Sequence, residues 1–148
     1  MISAHPCRRL FDNPINNSNL LWPDGHNKEL TPEIAAEHPL FSIVDEIETQ
    51  NGSNSTKENE FASKIADLIG VGGIGGSDAH STEGIGSCYT KFGKSITSSE
   101  ELIEAIKSKS FTERFIFDDK EIKEEHLVEI LNGIENTILI LNTSVPYK

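Results

Sequence analysis

The sequence predicts an α/β fold in which strands alternate with amphipathic helices and pair in parallel. Two Ser-x-x-Glu patterns, at Ser55–Glu58 and Ser98–Glu101, each precede apolar residues at helical spacing. Short apolar segments lie before and after these helices. Turn-forming residues, such as Gln-Asn-Gly at 50–52, end these apolar segments. The length of 148 residues is that of one domain with a modest core.

The predicted elements follow one another along the whole chain. An irregular, Asn-rich connection from about Phe11 to Leu30 leads to a short helix, which Thr31 caps and whose first turn holds Pro32 and Glu33. The elements after it are a strand over 41–49, a helix from the first Ser-x-x-Glu pattern, a glycine-rich strand over 71–77, an extended piece within 85–92, a helix from the second pattern, and a third helix from near 123. The closing apolar residues 138–141 fit a strand and a helical turn equally well. Each of the three later helices has one apolar face. These faces consist of Phe61, Ile65, Leu68 and Ile69 in the first, Leu102, Ile103 and Ile106 in the second, and Leu127, Ile130, Leu131 and Ile134 in the third.

Composition and charge exclude several classes of protein. The chain has 13 Lys and Arg against 24 Asp and Glu, a formal net charge of −11, and such acidity disfavours broad nucleic-acid binding. No apolar run approaches the ~20 residues of a membrane-spanning helix, and the first residues lack the pattern of a secretory signal. Two cysteines are too few for a disulfide framework. We therefore expect a cytoplasmic globular protein with no membrane partner.

The strongest chemical signal is the Gly-Gly-Ser-Asp-Ala-His segment at 75–80, which follows a predicted strand. Asp78 and His80 are two residues apart, so in an extended segment both side chains point to the same side. A carboxylate and an imidazole together suit Zn, Mn or Fe. Asp-x-His alone often arises by chance, and a loop pair hydrogen-bonded to backbone is the alternative, but the surrounding glycines favour the metal-ligand interpretation.

Further candidates lie at the ends of other predicted elements. His5 precedes a proline, which restricts it to extended backbone and would hold a metal ligand rigidly, although on spacing alone a solvated terminal His fits better. Glu48 ends the strand over 41–49, so the parallel topology places it and Asn51 at the rim of the pocket, with Ser77. A solvated acid is an equally good interpretation of Glu48.

The remaining cysteines and histidines have simpler explanations. A thiolate at Cys7 could bind zinc, but Cys7 and Cys88 fit small packing residues better. No motif gathers His26, His38 and His126, which we interpret as surface residues.

Two other catalytic patterns are rejected on their context. The G-x-G-x-x-G pattern at 70–75 follows a predicted helix, whereas a dinucleotide site requires a strand before it. Ser77 or Ser81 with Asp78 and His80 would make a nucleophilic triad of close sequence neighbours, and triad members normally come from separate elements.

Several of these segments together resemble the C-terminal half of a PHP domain, the polymerase and histidinol phosphatase superfamily of metal-dependent phosphoesterases. The segments are Ala4-His5-Pro6, Glu-Ile-Glu-Thr-Gln-Asn-Gly at 46–52, Gly-Ser-Asp-Ala-His at 76–80, Ile85-Gly86, and Thr90. The resemblance covers residues 1–110 and implies the C-terminal half of a distorted seven-stranded β/α barrel. An α-rich extension of unknown role over 111–148 would follow it.

The resemblance also implies two or three divalent metal ions, Zn, Mn or Fe, at the carboxyl ends of the strands. His5 matches the family's His-Pro ligand, and Asp78 and His80 match its last Asp-x-His ligands. Glu48 and Asn51 match a motif near the pocket. The His-x-His motif with which the family opens, and the ligands of its earlier strands, are missing. We therefore expect a fragment or a split gene product, inactive as an isolated chain.

The activity that the resemblance implies is hydrolysis of a phosphate ester, of a small molecule or a nucleotide, by metal-activated water. Asp78 and His80 are then the catalytic candidates, and His80 or His5 could instead protonate the leaving oxygen. A non-catalytic α/β remnant with a structural or interaction role is one alternative, and a metal-dependent hydrolase of the amidohydrolase type is another. An open strand edge near Met1 also predicts self-association.

Overall fold

A computed structural model of the chain describes residues 1–12, 19–23 and 30–116. Three strands form a parallel sheet in chain order: β1 (Ile2–Ser3), β2 (Glu46–Asn51) and β3 (Ile74–Gly76). Two further strands, β4 (Cys88–Phe92) and β5 (Phe111–Ile116), pair antiparallel. The helices are α1 (Pro32–Ala36), α2 (Thr56–Ile69) and α3 (Ser99–Lys107). The mixed α/β class is as predicted, and the barrel that the resemblance implies stays a prediction.

Parallel pairing brings the carboxyl ends of the three sheet strands to one edge. Ser3 at the end of β1 pairs with β2, and Asn51 at the end of β2 lies opposite Gly76 at the end of β3. The residues that follow β1 and β3, among them His5 and His80, therefore start from the same edge. Polar functional groups of α/β proteins are commonly positioned at this edge.

Helix α2 begins and ends as its sequence predicts. The Ser55 hydroxyl accepts the Glu58 N–H at 3.4 Å, the Glu58 carboxylate accepts the Ser55 N–H at 2.8 Å, and Gly70 ends the helix with a φ of 74°. The helix contacts β2 and α1. Its buried apolar residues are Phe61, Ala62, Ile65 and Ala66. Leu68 is 51% exposed, so its predicted place on this face is wrong. The two buried alanines shift the centre of the face away from Leu68.

The predicted strand over 41–49 is wrong in its first half. Pro39–Ser42 form a 3-10 helix, and the strand begins only where β1 and β3 pair with it. His38 caps this 3-10 helix, because its Nδ1 accepts the Leu40 N–H at 3.2 Å. The His38 ring also meets Trp22 edge-on, with centroids 5.7 Å apart. His38, predicted as a surface residue, is therefore half-buried and structural.

Most other predicted elements are confirmed. Thr31 caps α1 by accepting the Ile34 N–H at 3.4 Å, and Ser98 caps α3 by accepting the Glu101 N–H at 3.2 Å. Strands β3 and β4 lie inside the predicted extended segments and are shorter than these. In the described part of the chain, no helix combines the length and the apolar character that crossing a bilayer requires.

The end of the described chain differs from the prediction. Phe111–Ile116 is a strand, so these six residues are not the start of a helical extension, and the compact unit runs from Met1 to Ile116. Leu102 and Ile103 of α3 are 37% and 52% exposed, because a single helix face packs inward at Ala105. The predicted helix from 123, the apolar residues 138–141, His26 and His126 lie outside the described residues.

The core includes the segment that follows β1. Cys7 and Leu10 of this segment are fully buried with Ile47 of β2 and Ile65 of α2. The Leu10 N–H donates to the Cys7 carbonyl at 3.1 Å, which closes a tight turn. Because Cys7 and Leu10 are anchored in the core, the residues around them have a fixed place beside the sheet edge.

Two substitutions in α2 test this packing. Ile65→Ala removes a fully buried side chain, so we expect the free energy of unfolding to fall by about 2–5 kcal/mol. Leu68→Ala is the matched control on the same helix, and because Leu68 is exposed we expect a change within about 0.5 kcal/mol. Chemical denaturation measures both, and equal losses would show that the helix packs with the wrong face.

Candidate functional site

A cavity of about 500 Å³ opens where β1 ends. Its walls come from three stretches of chain: the end of β1 with the segment after it, residues 19–21, and the loop after β3. The lining residues are Ser3, Ala4, His5, Pro6, Arg8, Arg9, Asn19, Leu20, Leu21 and His80. Two of the three predicted metal ligands, His5 and His80, therefore share one cavity although 75 positions separate them in sequence.

The charge of this lining is opposite to that of the whole chain. The lining contains two arginines and two histidines, and none of its described residues is Asp or Glu. The full chain carries a formal net charge of −11. A concave surface with one sign of charge concentrates ligands of the opposite sign. The cavity is therefore suited to an anion.

The third predicted ligand, Asp78, is paired with an arginine. Arg8 donates from Nη1 to Oδ2 of Asp78, and the two side chains are 30% and 20% exposed. Arg8 lies in the segment after β1 and Asp78 in the loop after β3, so the ion pair joins the two sides of the cavity. The Asp78 carboxylate thus already has a cation at hydrogen-bond distance.

His80 is held in a defined tautomer. Its Nδ1 lies 2.8 Å from the Asp78 carbonyl oxygen. A carbonyl oxygen can only accept, so Nδ1 carries the proton, and Nε2 is the acceptor while the ring is neutral. Protonation of the ring turns Nε2 into a donor. His80 can therefore bind a cation or an anion through the same atom, depending on its charge.

Left-handed backbone occurs at both ends of the site. His5 has a φ of 30° and Asp78 a φ of 46°. The predictions that His5 is extended, and that Asp78 and His80 share one side of an extended segment, are both wrong. Such conformations cost roughly 1–3 kcal/mol and persist when surrounding contacts fix them. At His5 the fixing contact is the hydrogen bond from its N–H to Oε2 of Glu48 at 2.7 Å.

Glu48 is not among the described lining residues but contacts one of them, His5. Its buried carboxylate accepts the His5 N–H and, at 3.0 Å, the side-chain amide of Asn51. Gly76 makes room for it, because a Cβ at position 76 would lie 2.5 Å from Oε1 of Glu48. Glu48 therefore joins β2 to the segment after β1, packs against Gly76 of β3, and is a positioning residue for His5.

Asn51 also supports the site without lining it. Its backbone N–H donates to Oδ1 of Asn59 at 3.1 Å, and its carbonyl accepts from Nδ2 of the same residue at 3.1 Å. Its Oδ1 accepts the Ser53 N–H at 2.9 Å, and Ser53 in turn donates its hydroxyl to the Asp78 carbonyl at 2.9 Å. Ser77 is half-buried and, like Glu48 and Asn51, is not among the described lining residues of the cavity, so their place at a pocket rim stays a prediction.

Thr90 and Glu46 support the backbone around β3, and the sequence analysis did not name either as a site residue. Thr90 accepts the Gly75 N–H at 2.8 Å and donates to the Gly75 carbonyl at 2.9 Å, which joins β4 to β3. The buried Glu46 accepts the N–H groups of Gly72 and Gly73 at 3.0 and 2.8 Å. Both residues belong to segments that carry the family resemblance, and this was the one signal in the sequence that could have indicated a supporting role.

The two cysteines are packing residues, as predicted. Burial, with a smaller contribution from Glu58, raises the pKa of the Cys7 thiol from 9.0 to about 12. Burial, with a smaller contribution from Glu48, also raises the pKa of Cys88. Both thiols are therefore protonated near neutral pH.

The described residues do not form a metal-binding cluster. Across 1–12, 19–23 and 30–116, no three His, Cys, Asp or Glu side chains are placed together so that they could hold an ion. His5 and His80 share the cavity, but the Asp78 carboxylate faces Arg8. Two-metal sites need many donors, so this set does not by itself fit the cluster that the resemblance implies.

Comparison with known proteins identifies one part of the chain. Residues 56–111 match the family described as PHP-associated. The match runs from α2 to the first residue of β5 and includes Asp78, His80 and Thr90. It confirms the resemblance to the C-terminal portion of PHP-domain proteins for this segment. No curated protein and no solved structure matches the chain.

Removing the Glu48 carboxylate tests its role under His5. We expect Glu48→Ala to lower the free energy of unfolding by about 3 kcal/mol, because two buried donors lose a charged acceptor. We also expect the His5 ring signals in NMR spectra to shift in Glu48→Ala, because the backbone leaves its left-handed conformation. Glu48→Gln should restore part of the stability and part of the wild-type His5 signal position. Glu60→Ala on the exposed side of α2 is the control. Unchanged His5 signals in a folded Glu48→Ala variant would refute the positioning role.

The pKa of Cys7 predicts a loss of stability in alkali. The unfolded chain releases this thiol proton near pH 9, whereas the folded chain retains it up to a pKa of about 12. The protonated Cys7 thiol therefore contributes fully to the free energy of unfolding below pH about 9. This contribution is lost as the pH rises from 9 toward 12. Urea unfolding at a series of pH values should show a steeper fall for the wild type than for Cys7→Ala. Parallel curves would contradict a protonated, buried thiol.

Proposed function

We propose that this chain, with its PHP-associated segment, provides the phosphate-ester-binding part of a metal-dependent phosphoesterase of the PHP type. The observation that carries the proposal is the cavity lining, in which Arg8, Arg9, His5 and His80 meet without a carboxylate among the described residues. This lining favours a compact anion, and a phosphate ester is the anion that the family resemblance implies.

The chemistry of the lining suits a phosphoryl group. Guanidinium groups present several donors in a plane and bind phosphate oxygens in pairs. Asn19 supports this arrangement by donating its side-chain amide to the carbonyls of Pro6 at 2.8 Å and Arg8 at 2.9 Å. It thereby holds the segment that carries both arginines.

His80 adds a titratable group to the same cavity. With Nδ1 fixed on the Asp78 carbonyl, the protonated ring presents its Nε2–H as a donor to a phosphoryl or leaving-group oxygen. His5 belongs to the same lining and is the second candidate for this role. The metal-activated water that the resemblance implies, with Zn, Mn or Fe, requires donors from outside the described residues.

A non-catalytic binding domain is the second candidate function. It is favoured by the Arg8–Asp78 ion pair and by the lack of a three-donor group within the described residues. Such a domain would still bind a phosphate-type anion but would not hydrolyse it under any metal condition. Self-association, or association with a separate N-terminal half, would restore activity only if the partner supplied the missing metal ligands.

Phosphate binding and hydrolysis by the purified full chain test these functions. We expect inorganic phosphate to bind in the presence of a chelator, and His80→Gln to weaken binding about tenfold through loss of a charge-assisted hydrogen bond. Lys94→Gln, which removes an exposed positive charge outside the lining, is the control and should bind like the wild type. Titration calorimetry measures all three.

Hydrolysis of p-nitrophenyl phosphate with added Mn²⁺ or Zn²⁺ then separates the candidates. Activity that His80→Gln abolishes would support the phosphoesterase. Phosphate binding without hydrolysis, even after a separate N-terminal half with the His-x-His ligands is added, would support the binding domain. Absence of phosphate binding would overturn both. Cleavage of C–N substrates instead of phosphate esters would favour the amidohydrolase type.

A further inference from the structure

We infer that Arg8 is an internal counter-cation of the site: its guanidinium occupies the Asp78 carboxylate and thereby excludes a divalent cation from it. The inference rests on the proposed function only for the identity of the anion that the cavity binds. The Arg8–Asp78 ion pair itself belongs to the geometry of the described residues.

Both partners of the ion pair are held by hydrogen bonds to their own backbone. The Arg8 N–H donates to the His5 carbonyl at 3.1 Å, and the Arg8 carbonyl accepts from Asn19 at 2.9 Å. The Asp78 carbonyl accepts from the Ser53 hydroxyl at 2.9 Å and lies 2.8 Å from Nδ1 of His80. The pair is therefore a contact between two fixed segments rather than a chance meeting of two flexible surface chains.

The ion pair also orients the arginine. A guanidinium has five N–H donors in a rigid plane, and the contact from Nη1 to Asp78 sets the direction of that plane. Because Arg8 lines the cavity, its fork can bind an anion there while one edge stays on the carboxylate. Asp78 then acts through Arg8, as a positioning residue for anion binding.

A divalent cation at Asp78 would have to displace Arg8. The displaced guanidinium would remain in a lining that also holds Arg9, so the cation would enter a region that carries two other positive charges. Binding of a metal ion to Asp78 therefore competes with the pairing of Asp78 with Arg8. In the described part of the chain, Asp78 pairs with Arg8 and belongs to no three-donor group.

Two neighbouring arginines give a matched experiment on the full chain. Arg8→Gln and Arg9→Gln each remove one positive charge from the same lining, but the structure pairs Arg8 with Asp78. We expect Arg8→Gln to tighten Mn²⁺ binding at least tenfold more than Arg9→Gln does, as measured by electron paramagnetic resonance of free Mn²⁺. The gain should disappear in Arg8→Gln combined with Asp78→Asn.

One more variant keeps the test valid if Arg8→Gln fails to fold. If Arg8→Gln does not fold, as circular dichroism would show, Arg8→Lys keeps a cation beside Asp78 without the planar fork. We expect it to bind Mn²⁺ as weakly as the wild type and to bind inorganic phosphate more weakly. Equal Mn²⁺ gains in the two Gln variants, a gain that persists without the Asp78 carboxylate, or tight Mn²⁺ binding by Arg8→Lys would each overturn the inference.

The same measurements separate this inference from the proposed function. If the wild type does not bind phosphate but Arg8→Gln gains an Asp78-dependent Mn²⁺ site, the proposed function is refuted and the counter-cation role of Arg8 is supported. If phosphate binds and neither arginine variant gains Mn²⁺, the counter-cation fails and the anion site stands.

Discussion

The parallel alignment of β1, β2 and β3 is the constraint on which the candidate site depends. Because the three strands run the same way, the segments after β1 and β3 leave from one edge, and His5, Arg8, Asp78 and His80 come together from distant parts of the sequence. The central strand contributes no described lining residue but supplies the Glu48 carboxylate, which fixes the His5 backbone. An antiparallel arrangement of β1 would send His5 to the opposite edge.

Charge gives the site its chemical character. The chain is strongly acidic, yet the described cavity lining is basic. Two described carboxylates next to this lining are already engaged. Glu48 accepts hydrogen bonds from the His5 backbone and the Asn51 amide, and Asp78 forms an ion pair with Arg8. Each carboxylate thus positions a group that faces the cavity, while its own charge is offset by the donors that it accepts. This arrangement supports the proposed binding of a phosphate-type anion.

Local features of this fold could be predicted from the sequence, and contacts between distant residues could not. The caps at Ser55 and Ser98 were predictable because a cap is formed by residues three positions apart. The left-handed backbone of His5 depends on Glu48, 43 positions away, so the His-Pro pair alone indicated the wrong conformation. Likewise Asp78 could be recognised as chemically important, but its partner Arg8 is 70 positions away and belongs to no ligand motif.

A crystal structure of the full chain grown with both Mn²⁺ and inorganic phosphate would test the central claim most directly. We predict phosphate in the cavity within hydrogen-bond distance of Arg8, with Arg8 still on Asp78 and no anomalous manganese signal at that carboxylate. A manganese ion bound by Asp78 together with His5 or His80, and Arg8 turned away from it, would contradict the account.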